Sequence, residues 1–496
     1  MKRVNGALLL CGATVMSGCA HMSNTAQNSD HGRHYHKTKR FYQEIINQEK
    51  VDVSKLNLFF TQMPKGGDIH HHYTGSIYTE TYLEWVDAKG WMIDKCNLKI
   101  IRAAEDACDG KGLTIDQLMS NNALYRKLLM VWSNKDYANH YHDQPPPDAN
   151  FFQTFGYFGG VSGQYMDTGL NILKTRAKKE NVSYIETMLR KVGARSENVF
   201  NEDQIAQISQ RLRAAKDQAA VDEILEQLVE VYDNSKSFDK AIKKYLSKLN
   251  KDHQGIDDEH FTMRYQTYAS RTSNPVKVFT DLYSGYVAAD MSPLVVGVNI
   301  VAPENNHIAL RDYTLHMRMY NFLKRKYPDV GRSLHAGELT LGMVRPKNLT
   351  FHINEARSIA KAQRIGHGVD LPYEEKPEEL LKDLKENSAI EINLTSNQFI
   401  LGVDKENHPY QIYAAYGVPM VISTDDSGVS RNNLSGEYVL LASRYRVDYP
   451  TIKKYVYNSI DYSFLSDDDK RKQRDLLDKS FHQFEAEIAR LSEKMH

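Results

Sequence analysis

Beyond about residue 40, short apolar runs rich in β-branched residues alternate with amphipathic helical runs, the pattern of parallel strands wrapped by helices. Strands are predicted at 67–72, 182–186, 262–268, 294–300, 333–335, 364–367, 390–394 and 419–423. Between the later ones Ile353, Ala356, Ile359 and Ala360 recur at helical spacing, as do Leu380, Leu381 and Leu384, each set followed by the next strand. Eight such units favour closure into a (β/α)8 TIM barrel with helical insertions over an open sheet. Two segments interrupt the repeat. About 87–118 reads as an irregular insertion, and 201–250 as charged helices carrying Ile205, Ile208 and Leu212, then Ile224, Leu228 and Val231, expected as a hairpin standing off the barrel.

The first residues have a different character. Lys2 and Arg3 precede a short apolar run too brief to span a bilayer, which ends in Met16-Ser17-Gly18-Cys19. This resembles a bacterial lipoprotein signal over 1–18, with Cys19 acylated and Ala20 after it favouring outer-membrane sorting, facing the periplasm or the cell surface. Residues 19–39 are polar, with His31, His34 and His36 among them, and read as a flexible tether leading to a catalytic barrel at 40–496.

Composition narrows the partners. Lysine plus arginine (63) equals aspartate plus glutamate (63), so no overall field draws in nucleic acid or anionic lipid, and membrane contact is expected only through the lipid. The oligomeric state is open, a dimer included. Cys96 and Cys108 could bridge in an oxidising compartment or remain structural thiols.

Four polar clusters fall at the carboxyl ends of predicted strands, where barrel enzymes keep their chemistry. In Asp68-Ile69-His70-His71-His72, alternation along a strand turns His70 and His72 to one face and His71 to the other. His335-Ala336-Gly337-Glu338 puts a histidine at a strand end and a carboxylate in the loop above it. Gly366-His367-Gly368 leaves an imidazole projecting between glycines, and Asp425-Asp426 ends the last strand with paired acids. Each alone has a structural explanation; their coincidence at one barrel end points to a metal-assisted site.

The order of these motifs resembles the adenosine deaminase family, and Met63-Pro64-Lys65-Gly66-Gly67 is similar to its secreted, growth-factor-related branch. The resemblance runs from about residue 59 to 438 and includes Thr395-Ser396-Asn397 and His408-Pro409. It implies that His70, His72, His335 and Asp425 hold one zinc ion, or another divalent metal, which readies a water at neutral pH. Glu338 would protonate the purine ring nitrogen, His367 would orient the attacking oxygen, and Asp425 would take the water's proton. Thr74, Gly75, Ala302 and Asp426 are the positions it gives to substrate binding. The expected reaction is hydrolytic deamination of adenosine or a related purine nucleoside to inosine and ammonia. The other zinc deaminase design, with its Pro-Cys-x-x-Cys ligands, is excluded because the chain beyond Cys19 has no close cysteine pair.

Two departures touch substrate choice. Thr74 stands where the family has an aspartate for a sugar hydroxyl, and Ala302 where it has a glycine against the purine. A deaminase of a modified adenine or another amino-heterocycle is therefore the rival reading. A non-catalytic nucleoside-binding surface lipoprotein is the reading outside enzymes.

Overall fold

Eight strands, all parallel, follow one another around a barrel in chain order: Gly66–His72 (β1), Val182–Met188 (β2), Thr262–Ser270 (β3), Val295–Val301 (β4), Gly331–Ala336 (β5), Arg364–His367 (β6), Ala389–Ile392 (β7) and Met420–Ile422 (β8). The computed structural model describes residues 16–135 and 145–495. The ring closes just beyond β8, where the His72 N–H donates to the Asp425 carbonyl at 3.1 Å and the Asp425 N–H to that of His70 at 2.9 Å. All eight strands expected from the hydrophobic pattern are present, with ends moved by one or two residues. Their burial is near-continuous because both faces are covered, the inner by packed side chains and the outer by helices.

Helices between consecutive strands, such as Pro275–Met291 and His307–Lys326, pack against the barrel through their apolar faces. The expected hairpin at 201–250 is corrected to three helices, Glu202–Ala214, Gln218–Asp233 and Lys236–Asp252, lying on the barrel's helical layer. Phe238 stacks on Tyr283 with ring centroids 5.4 Å apart, and the Tyr232 hydroxyl lies 2.6 Å from that of Thr280. Arg213 grips Asp312 at 2.9 Å. These helices carry apolar stripes that need a covering surface, and the barrel helices supply it.

The tether expectation also needs correction. Met16–Ile46 is one helix, and it packs along the final helix Asp467–Met495. Thr38 donates to the Glu485 carbonyl at 3.1 Å and the Tyr42 hydroxyl to that of Val447 at 2.8 Å. Tyr35, Phe41, Tyr42 and Ile45 give this segment enough apolar surface to pay for its ordering, and the helix extends back from them through polar sequence. The leader expected at 1–18 lies, for residues 1–15, outside the described residues.

In the insertion at 87–118, strands Met92–Ile93 and Ile100–Ile101 form a short antiparallel ribbon. Cys96 and Cys108 form a disulfide at its end, with Cα atoms 6.3 Å apart, which resolves the alternative left open by the sequence.

Candidate active site

β1 delivers two of the imidazoles. His70 and His72 point inward and His71 outward, where its Nδ1 lies 2.9 Å from the Thr187 hydroxyl. A shift in the β1–β2 register between Asp68 and His71 marks a bulge in the strand at this point. Gly366 on β6, a strand that does not pair with β1, leaves room for the ring across the barrel interior: a Cβ there would stand 2.6 Å from Cε1 of His70. β5 brings His335 opposite Gly366, and its last residue, Ala336, pairs with His367. Asp425 follows β8.

These side chains meet at the carboxyl mouth of the barrel. His72 Nε2 lies 3.1 Å from His335 Nε2 and 3.2 Å from Asp425 Oδ1, which is 3.4 Å from His70 Nε2. His367 Nε2 is 3.6 Å from Glu338 Oε1 and 4.0 Å from Asp425 Oδ2. His70, His335, His367 and Asp425 are all buried and present ligand-type atoms within 4.8 Å of one another. His70 Nε2 has no hydrogen-bond partner, which in a buried imidazole marks a position meant for something else.

Behind the cluster each side chain is held by a second group. His70 Nδ1 lies 2.5 Å from Glu391 Oε2, and His335 Nδ1 lies 2.9 Å from Asn299 Oδ1. Ser396 donates to Asp425 Oδ2 at 2.7 Å. The Glu304 carboxylate accepts the backbone N–H groups of Gly337 and Glu338 at 3.2 and 2.9 Å and faces His352 Nδ1 at 2.6 Å, fixing the loop that carries Glu338. Burial opposes ionisation of Glu304, but the Arg271 charge and the His352 hydrogen bond hold its carboxyl down to about 2.

The mouth opens into a cavity of about 530 Å³. Its floor is His72, His335, Glu338, His367, Asp425 and Asp426; Phe151, Phe152 and Phe155 of helix Pro147–Ser162 form one wall, with Met188, Tyr268 and Val301 beside them. Thr74 and Ala302 line it as well. Gly75 does not: it lies beneath Asp426, where a Cβ would come within 1.5 Å of Oδ1, so its part is to admit that carboxylate. Ala302, His367 and Asp425 have φ of 84°, 71° and 61°, left-handed backbone that costs a non-glycine residue about 1–3 kcal/mol each and gathers at functional sites. Burial, then the charges of Asp425 and Glu304, push the Glu338 carboxyl well above its ordinary range. Burial and Asp425 do the same to Asp426.

Sequence reasoning did not single out Glu391, Asn299, Glu304 or the phenylalanine wall. Signals existed for some of them: Glu391 interrupts an apolar strand, and three phenylalanines recur in Phe151-Phe152-Gln153-Thr154-Phe155.

A parallel (β/α)8 barrel with a histidine–carboxylate cluster at its carboxyl mouth is an arrangement that could hold a metal ion where barrel enzymes keep their chemistry. The family model for adenosine deaminase matches residues 287–480. An adenosine deaminase of Clostridium kluyveri is 36% identical over 152 residues, 30% of this chain and 40% of that protein, so under half of the relative's length is aligned. Among solved structures, Arabidopsis ADAL complexed with GMP superposes with a TM-score of 0.55 at 16% identity, covering 85% of this chain and 98% of that one. A Burkholderia ambifaria amidohydrolase with bound Zn gives 0.53 at 16% identity, over 89% and 96% of the two chains. These two likenesses show the fold. Over residues 287–480 the chain is similar to the adenosine deaminase family, and it spans under half the length of the curated relatives it matches.

Proposed function

We propose that this protein is a zinc-dependent deaminase that converts an uncharged aminopurine nucleoside, adenosine first, to the corresponding inosine and ammonia. The observation that carries this reading is the convergence of His70, His72, His335 and Asp425 at the barrel mouth, where all but His70 line one cavity with Glu338. His70, His72, His335 and Asp425 would hold the ion: the donor set of three nitrogens and one oxygen suits zinc, and the unpartnered His70 Nε2 fits a ligand position. Bound zinc would supply a water whose pKa is brought down to about 7.

The remaining work belongs to the chain's own groups. Asp425 takes the proton of the attacking water, and His367 orients it. Glu338, kept protonated by its dry surroundings, gives a proton to the ring nitrogen beside the amino-bearing carbon. Asp426 hydrogen-bonds the far side of the purine. Water's oxygen ends on the ring carbon, the amino group takes the proton held by Asp425 and departs as ammonia as its bond to that carbon breaks, and the remaining hydroxyl proton returns to Glu338 as the carbonyl forms.

The cavity wall narrows the substrate. Among the described lining residues are acids and apolar groups but no lysine or arginine, so a 5′-phosphate finds no counter-charge. Adenosine is expected to exceed its monophosphate in kcat/KM by on the order of 100-fold, the scale of about 3 kcal/mol for a charged contact left unmade. Ammonia release from adenosine, deoxyadenosine, adenosine monophosphate, adenine and an N6-alkylated adenosine tests this on protein assayed for metal. Preference for the monophosphate would overturn the nucleoside assignment. Binding without turnover on every compound would favour a non-catalytic receptor. The phenylalanine wall and neutral Thr74 support the second reading, a modified adenine with an apolar substituent; the N6-alkylated compound would then lead the panel.

We also propose export as a lipoprotein anchored through Cys19, a reading supported by the Cys96–Cys108 disulfide, which persists in oxidising compartments. Cys19→Ala should abolish fatty-acid labelling and release the protein from membranes. Unchanged fractionation would remove the anchor.

A further inference from the structure

The backbone N–H of Tyr410 lies 3.0 Å from Nδ1 of His408, and a peptide N–H can only donate. Nδ1 of His408 therefore presents a lone pair, and the neutral ring keeps its proton on Nε2. That nitrogen faces the side-chain amide of Asn397 at 3.0 Å, so the amide atom it meets must be the oxygen. The other end of the same amide, Nδ2, then donates across 2.9 Å to Nδ1 of His367. A second amide nitrogen, that of Asn393, stands 3.5 Å from the same ring atom. With its Nδ1 accepting, His367 carries its proton on Nε2, the nitrogen turned toward Glu338 and Asp425. The orientation of the amide follows from the fixed peptide donor and need not be assumed. Burial favours the neutral ring this requires of His408, lowering it to about 4.

The same rule gives the opposite result next door. His70 Nδ1 faces the Glu391 carboxylate, which only accepts, and His335 Nδ1 faces the Asn299 oxygen, identified as oxygen because it also accepts the Ile300 N–H at 2.8 Å. Both rings thus turn an Nε2 lone pair inward, as metal ligands do. We propose that Asn397 and His408 are positioning residues that lock His367 in its Nε2–H tautomer, making it a hydrogen-bond donor to the reacting oxygen and keeping it out of the metal-ligand set. This accounts for a buried imidazole that sits within ligand distance of the cluster yet serves it differently. The kinetic consequence rests on the deaminase reading; the tautomer does not.

Long-range ¹H–¹⁵N correlation spectra of histidine-labelled, zinc-loaded protein read the tautomer directly, with His367→Ala supplying the assignment. The wild type should show Nε2–H. In Asn397→Asp an acceptor replaces the donor, so the ring should switch to Nδ1–H and kcat should fall about 100-fold, with KM within about threefold and zinc content unchanged. His408→Gln keeps a donor toward Asn397 and should retain both the wild-type tautomer and most of kcat, whereas His408→Leu should not. Nδ1–H in the wild type, an unswitched ring in Asn397→Asp, or a kcat loss that merely tracks zinc loss would overturn the proposal. An Nε2–H ring in a protein that deaminates nothing would sink the deaminase reading and leave the lock standing.

Discussion

Glu338→Gln is expected to lower kcat by about 10²–10⁴-fold, the range for removing a general acid, while zinc content and thermal midpoint stay at wild-type values. The change is nearly isosteric, and glutamine still offers an N–H in the same place. What it lacks is a proton to give. Glu338 is 7% exposed, lies 3.6 Å from His367 and is anchored through its own backbone N–H by Glu304, so the substitution leaves the loop's support intact. The pH profile sharpens the test. Burial and the charges of Asp425 and Glu304 raise the Glu338 pKa, so its acid form is present at low pH and is lost as pH rises through that raised value. Wild-type kcat should therefore fall on the alkaline side through a limb set by Glu338, and the residual rate of Glu338→Gln should lack that limb. Initial rates of ammonia release across pH measure both; a variant that keeps a third of wild-type kcat would remove Glu338 from the chemistry.

How much of this was legible in the sequence depends on which face of a strand a residue occupies. The strand positions could be read because each is a short apolar run between helical patterns. The residues at their carboxyl ends could be read because His70, His335, His367 and Asp425 are reactive types in the right order. The layer beneath could not. Glu186, Arg364 and Glu391 lie inside strands, where a single charged residue among apolar ones looks the same whether it is buried in the barrel or exposed at an edge. Only closure of the ring brings them together. The phenylalanine wall was missed for a related reason: aromatic residues spaced on a helix suggest core packing, and Phe158 is indeed buried in the core while Phe151, Phe152 and Phe155 line the cavity. The three-helix insertion and the long N-terminal helix were misplaced because their partners, barrel helices in one case and the last helix of the chain in the other, are remote in sequence.

That hidden layer carries the second large effect, centred on Arg364. Its Nε donates to Glu391 Oε1 at 2.5 Å and a terminal nitrogen reaches Glu186 Oε1, with all three side chains fully buried. From Glu391 the network runs directly to His70 Nδ1. From Glu186 it runs through Gln266, 2.7 Å away, to Asn299 at 3.1 Å and then to His335 Nδ1. One guanidinium therefore bridges both acids that stand behind two of the proposed ligands, and its planar fork suits two carboxylates as an ammonium would not. Burial opposes ionisation of Glu391, yet Arg364, followed by His70, holds its carboxyl down to about 2. The stabilisation from Glu391 is thus complete above its unfolded pKa and is lost as pH falls from there toward 2. Arg364→Met should cost about 3–5 kcal/mol of stability by leaving two buried charges unpaired. It should also weaken zinc binding about 10–100-fold through loss of the support behind His70 and His335. Adding Glu186→Gln removes one of the stranded charges and should recover part of the stability, while His70 still lacks a properly held Glu391. Denaturant unfolding and zinc titration against a competing chelator separate the two losses; an Arg364→Met protein with wild-type midpoint and zinc affinity would show that the two ligands are oriented without this network.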